Sequence, residues 1–158
     1  MTERPHVLMQ RRLNDILPDR AWPEGIYLDL FANSMAREAH ALLESAYASG
    51  GGQVPGFENW WAALSQDAEY ASDLCFPLRD QNGNLVAFAQ CWTSAFVKDF
   101  AIHPARQRRG IGRSLLLHIF HIFQARGAET ISLKVEVDNL RGVALYRSLG
   151  MSPDKTRC

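Results

Sequence analysis

Val97-Lys98-Asp99-Phe100-Ala101-Ile102-His103-Pro104-Ala105-Arg106-Gln107-Arg108-Arg109-Gly110-Ile111-Gly112-Arg113 decides the reading of this 158-residue chain. Phe96 to Ile102 reads as a strand, and His103-Pro104 ends it, because proline offers no N–H to a ladder. From Gly110 to Arg126 the residues Ile111, Leu115, Leu116, Ile119, Phe120, Ile122 and Phe123 keep helical spacing over a wide face. A basic loop joins the two elements. The first turn of a helix leaves backbone N–H groups unpaired, and its dipole puts partial positive charge there. Gly110 and Gly112 have no Cβ, so a phosphate can come close to the backbone. Together these features predict a pyrophosphate cradle. Arg106, Arg108, Arg109 and Arg113 add positive charge around it. The loop is not a Walker motif, and Leu115 removes the third glycine of a dinucleotide fingerprint. On the loop alone, a plain basic helix cap is the competing reading.

Working outward, Ile131, Leu133, Val135 and Val137 alternate with polar residues and predict a half-buried strand. Asp138-Asn139 break it and open a helix through Leu149, stopped by Gly150. Upstream, Leu74–Arg79 and Leu85 to about Thr93 read as a hairpin turned at Asn82-Gly83. Gly25–Phe31 is a candidate strand, and Asn33 or Ser34 is the expected N-cap of a helix to about Tyr47. Gly50-Gly51-Gly52 closes that helix, and Phe57 to about Tyr70 forms another. Residues 1–24 hold Pro5, Pro18 and Pro23, have no clear period and read as an irregular N-terminal arm with room for one short element, before a single domain over 25–158.

The chain is 47% hydrophobic and 22% charged, which excludes a disordered or fibrous protein. Cys75, Cys91 and Cys158 form no disulfide framework and no zinc motif. Three free thiols and the lack of a signal peptide or an apolar span point to a cytoplasmic protein with no membrane partner. Net charge is zero but segregated. Residues 1–99 carry seven basic and thirteen acidic side chains, and residues 100–128 carry five arginines and no acid. That balance weighs against a nucleic-acid binder built on the Arg106–Arg113 patch.

Gln107-x-x-Gly110-x-Gly112, after a strand ending Phe100-Ala101-Ile102-His103-Pro104, resembles the acetyl-coenzyme A signature of the GNAT N-acetyltransferases. Asn139, Gly142, Tyr146 and Leu149-Gly150-Met151 resemble that superfamily's Asn-x-x-Ala-x-x-x-Tyr-x-x-x-Gly-Phe segment. The resemblance is strongest over residues 85–151. It implies an α/β (α+β) acyl-CoA N-acyltransferase fold, a mixed, mostly antiparallel sheet with a V-shaped splay, flanked by the four helices read above. The cosubstrate it implies is acetyl-CoA, with no metal. Phe100, Ala101 and Ile102 would offer backbone groups to the pantetheine arm. Gln107, Arg108, Arg109, Gly110, Ile111, Gly112 and Arg113 would hold the pyrophosphate. Asn139 would lie near the pantetheine, and Tyr146 near the thioester sulfur as the acid that protonates it.

Competing readings accompany these roles. Asn139 also suits a simple helix cap, Tyr146 a core position, and His103 a structural turn. The general base is open between Glu136, Asp99 and a water chain, and each of the two carboxylates suits a solvent-facing or hydrogen-bonded strand residue better than a base. The implied reaction is acetyl transfer to a primary amine through a ternary complex; the alternative is a non-catalytic CoA-binding module of the same fold. The resemblance implies that the two helices over about 33–70 line the acceptor side, and as that stretch is acidic and holds Tyr47, Trp60, Trp61 and Tyr70, a preference for a cationic amine is expected. Family members usually continue past Leu-Gly-Phe with two strands, whereas only Ser152–Cys158 follow Met151 here. The C-terminal strands are expected to be short or missing; an open acceptor side, completion by residues 1–24, strand exchange in a homodimer, and a truncated or degenerate family member are the alternatives.

Overall fold

Segments of period two become strands and segments of period 3.6 become helices. In chain order they are β1 (His6–Arg12), β2 (Tyr27–Leu28), α1 (Ala36–Tyr47), α2 (Phe57–Ser65), β3 (Cys75–Arg79), β4 (Leu85–Trp92), β5 (Phe96–Ile102), α3 (Ile111–Ala125), β6 (Thr130–Glu136), α4 (Leu140–Ser148) and β7 (Ser152–Pro153). This computed structural model describes residues 5–48 and 53–154. The Gly50-Gly51-Gly52 stop and Cys158 lie outside the described residues. The strands form one seven-stranded sheet in the order β2-β3-β4-β5-β6-β1-β7. Neighbours run antiparallel except β5 and β6, which are parallel. On the α1–α2 side, Ala39, Leu43, Trp60 and Leu64 pack with Phe88 and Ala101. On the α3 side, Leu115, Leu116, Ile119 and Phe120 pack with Ala87, Ala89 and Ile131. β4 lies between these layers, and seven of its eight residues are buried.

Residues 1–24 are not simply an irregular arm, because they contribute β1. This strand pairs with β6 from His6–Glu136 to Arg12–Thr130, and on its other edge with β7 at Gln10–Ser152. The prolines of the segment flank the strand rather than interrupt it, so its ladder N–H groups are intact. Met9 is fully buried in the α3-side core. The sheet beyond β6 is therefore continued by the chain's own N-terminal residues, and strand exchange is not needed to fill that position.

Two smaller expectations also change. Asn33–Met35 form a 3₁₀ turn, and neither Asn33 nor Ser34 caps α1; Met35 occupies the cap position with no side-chain bond. α2 ends at Ser65 instead of reaching Tyr70. The Asp67 carboxylate accepts from the Glu69 N–H at 2.8 Å, a side-chain turn that competes with continued helix.

If β1 is a full member of the core, Met9→Ala should cost about 2–5 kcal/mol in urea unfolding. A cost typical of an exposed arm, within about 0.5 kcal/mol, would contradict the packing.

Candidate active site

β5 and β6 pair only at Phe96–Ser132 and Val97–Leu133, and then separate. The separation begins at a bulge. Adjacent β4 residues Gln90 and Cys91 face Asp99 and Val97, which leaves Lys98 as the extra residue. A bulge bends its strand and re-aims the side chains beyond it. Val97 accordingly packs in the α3-side core, but Ala101 packs with α1 and α2. Phe100 and Ile102 turn to the α3 side. The expected splay is present, and the bulge places Asp99 among the α1–α2 residues.

Two cavities occupy the splay. One, of about 720 Å³, is lined by Phe100, Ala101, Ile102, Gln107, Arg108, Gly110, Gly112, Arg113, Asn139 and Tyr146, among others. Of the residues expected to bind the cosubstrate, Arg109 and Ile111 do not line it; the Ile111 side chain is buried in the core. The second cavity, of about 780 Å³, is bordered by His6, Lys98, Asp99, Lys134, Glu136 and Asp154. Both cavities are lined by Tyr47, Phe100, Asn139 and Tyr146. These four residues form the junction between them.

The loop before α3 fits an anionic ligand. Gly110 occupies the cap position at φ +80°, a left-handed conformation that favours glycine. No side chain caps the helix and no acid lies in its first turn. Its leading N–H groups are thus left for another acceptor. A Cβ at Gly112 would stand 3.2 Å from Leu145 Cδ2 and 3.6 Å from Ile102 Cγ1, filling the cradle. Arg106 is held by buried Asp80 at 2.5 Å, and Arg141 bonds to Gln107.

Asn139 caps α4: its Oδ1 accepts from the Gly142 N–H at 3.1 Å. A Cβ at 142 would lie 2.6 Å from Asn139 Nδ2, so glycine lets this cap pack close. The cap reading and a place in the cavity wall both hold for Asn139. Tyr146 likewise is a core residue and a junction residue, with its ring T-shaped to Phe100 at 6.1 Å. Burial pushes its phenol up to about 12. His103 is structural, since its Nδ1 accepts from the Ala105 N–H and caps the turn after β5.

Asp99 and Glu136 are both buried and both border the second cavity. The Asp99 carboxylate accepts from Trp60 Nε1 at 3.1 Å, Lys98 Nζ at 3.2 Å and the Tyr47 hydroxyl at 3.5 Å. The acidic stretch expected to form a cationic-amine rim is turned elsewhere. Glu38 pairs with Arg79, Glu44 with His40, Glu58 with Arg37 and Asp73 with Arg126, and none of the four lines either cavity. Of its aromatics, Trp60, Trp61 and Tyr70 pack into the α1–α2 core, and Tyr47 alone reaches the cavities. The second cavity instead mixes signs: His6, Lys98 and Lys134 against Asp99, Glu136 and Asp154. Sequence reasoning missed His6, Lys98, Lys134 and Asp154 as site residues, because only the pairing of β1 with β6 and β7 and the bulge at Lys98 bring them together.

Residues 36–151 match the model of the acetyltransferase (GNAT) family. The chain belongs to this family. This GNAT chain is 39% identical over 75 residues to a ribosomal protein bS18-alanine N-acetyltransferase of Escherichia coli (strain K12), covering 46% of the chain and 51% of the relative. It is 30% identical over 136 residues to a mycothiol acetyltransferase of Clavibacter michiganensis, covering 83% of the chain and 44% of that protein. The chain thus spans about half the length of these curated relatives. A GCN5-related N-acetyltransferase from Sphaerobacter thermophilus superposes with a TM-score of 0.81 at 23% identity, over 96% of the chain and 49% of that structure, and has the same fold.

The cap geometry gives a direct test. Asn139→Ala should destabilise the GNAT domain by about 0.5–2 kcal/mol, while Asn139→Ser should keep most of that stability. Equal melting of the two variants would remove the cap from the account.

Proposed function

We propose that this chain transfers an acetyl group from acetyl-CoA to a primary amine, by direct attack within a ternary complex. The observation that carries this reading is the junction at Tyr47, Phe100, Asn139 and Tyr146, where a donor in one cavity meets an acceptor in the other. Phe100, Ala101 and Ile102 offer backbone groups to the pantetheine arm. The N–H groups from Arg108 through Arg113, together with Gln107, hold the pyrophosphate. When bound, acetyl-CoA supplies the activated acyl group. The Phe100 N–H is directed to Tyr47 at the junction, which suits it to stabilise a developing oxyanion.

The proposed role of Tyr146 follows from its burial. A phenol near 12 stays protonated and remains a hydrogen-bond donor through the neutral range. The thiolate of a thiol with an ordinary pKa of about 8.5 is a weaker base than the Tyr146 phenolate, so full transfer from Tyr146 alone runs uphill. Tyr146 therefore donates to the departing sulfur as it recovers a proton from the amine nitrogen.

The acceptor is a primary amine on a small molecule, peptide or protein. The partial identity to a bS18-alanine N-acetyltransferase makes an alanine-starting peptide the first acceptor to try. Buried free thiols at Cys75 and Cys91 support a reducing, cytoplasmic setting. Among the described residues, no helix is long and apolar enough to cross a membrane.

Thermal unfolding with acetyl-CoA, and with ATP as the anion control, tests the donor site. At 100 times its Kd a ligand stabilises by about 2.7 kcal/mol, so acetyl-CoA alone should raise the melting temperature. Equal shifts would reduce the loop to a general anion site. With turnover followed as free thiol release, Tyr146→Phe should lose about 10²-fold in kcat while acetyl-CoA affinity holds. Unchanged kcat would remove Tyr146 from the chemistry. A melting shift without turnover on any amine would favour the binding-module reading.

A further inference from the structure

Tyr47 closes α1 and sets its hydroxyl between two groups of β5. It accepts from the Phe100 backbone N–H at 3.4 Å and donates to Asp99 Oδ1 at 3.5 Å. Both bonds are long, as catalytic hydrogen bonds commonly are before substrate tightens them. Their direction is informative. The Tyr47 oxygen takes the Phe100 N–H on a lone pair, and its own proton goes to Asp99. Trp60 Nε1 and Lys98 Nζ both bind the other carboxylate oxygen, Oδ2, so Oδ1 is left to Tyr47. Asp99 borders the second cavity, and its side chain is bonded to Tyr47, which lines both cavities.

We infer that Tyr47 is a proton relay, accepting a proton from the acceptor's ammonium on its oxygen while passing its own phenolic proton to Asp99. The inference rests on the acetyl-transfer reading above and assigns the base which that reading leaves open. Burial, reinforced by the Asp99 charge, holds the Tyr47 phenol well above its ordinary value. It stays a neutral phenol and keeps both the lone pair and the proton that a relay needs. Lys98, Cys75 and Tyr146 stand close to the pair, and His6, Lys134, Glu136 and Asp154 face it around the second cavity.

The protons balance. The ammonium loses one to Tyr47 as Tyr47 gives one to Asp99. The neutral nitrogen attacks the thioester carbon, so that the C–N bond forms and the C–S bond breaks. Tyr146 gives its proton to the departing sulfur, which carries the bonding pair, and recovers one from the acetylated nitrogen. Asp99 releases its proton to solvent, one for each acetyl group transferred. Tyr47 also holds the Phe100 N–H that the thioester carbonyl requires, so binding of acetyl-CoA takes this donor from Tyr47 and frees its lone pair for the amine.

Two readouts test the relay. The first is binding, by titration calorimetry of acetyl-CoA and of CoA. In Tyr47→Phe nothing competes for the Phe100 N–H, and the preference for acetyl-CoA over CoA should rise about 2- to 10-fold. An unchanged ratio overturns the handover and the relay with it. The second is the pH profile of kcat/KM with an alanine-starting peptide, whose α-amine ordinarily titrates near 8. Tyr47→Phe should lose about 30-fold at pH 6.5, the factor by which an amine titrating near 8 is protonated there, and the deficit should shrink above pH 8, where the amine is neutral unaided. A deficit equal at every pH overturns the relay. Asp99→Asn should show the same profile, and the double variant should be no worse than either single one. Multiplicative losses overturn the shared path. Should Asp99→Asn melt as unfolded, the two Tyr47→Phe readouts decide. If wild type binds acetyl-CoA but acetylates neither this peptide nor free lysine, the transfer reading falls and the relay falls with it. If wild type turns over and Tyr47→Phe matches it, the relay alone falls.

Discussion

The site depends on a pairing that stops early. β5 and β6 share two register positions and then part, because Lys98 is an extra residue that β4 cannot match. Parallel strands that stayed paired would spend the backbone groups of Phe100 and Ile102 on a ladder. Parting leaves those groups to face a slot, and it gives Asp99 and Ala101 to the α1–α2 layer. A single inserted residue thus opens the cavity, frees an N–H at its centre and brings a carboxylate beneath it.

The remaining parts of the site are ordinary local features placed at the edges of that slot. Gly110 and a capless helix start supply N–H groups at one end. The Asn139 cap and the close approach of Gly142 set α4 at the other, which carries Tyr146 to the junction. The end of α1 brings Tyr47 from the opposite layer of the sheet. The residues meet there although they come from separate segments, and the two phenols stay neutral because both are withdrawn from water.

Much of this was legible in the chain. Phe96–Ile102 matched β5 to the residue, and α3 and β6 differed from their expected spans by a single residue at each end. Each has a long, regular apolar period and a hard stop, His103-Pro104 or Gly127. β1 was hidden because Pro5 and Pro18 suggested an irregular segment, and because its apolar residues are few; Met9 is buried in a core whose other members, from β6 and α3, are distant in the chain. The acidic residues between 38 and 73 misled for a related reason. Composition records their charge but not the arginines and the histidine that meet them in space.

By itself, the sequence determined the order of the strands and α-helices from Gly25 to the end of α4, the glycine-containing loop at a helix start and the residues that mark the family, since these depend on neighbours a few positions apart. Only the tertiary structure decided which strand lies beside β6, where the charges of the second cavity fall, and that Tyr47 touches both Phe100 and Asp99. Those contacts join residues about 50 or more positions apart, and strand register together with a bulge sets them. Neither register nor a bulge leaves a periodic trace in one chain.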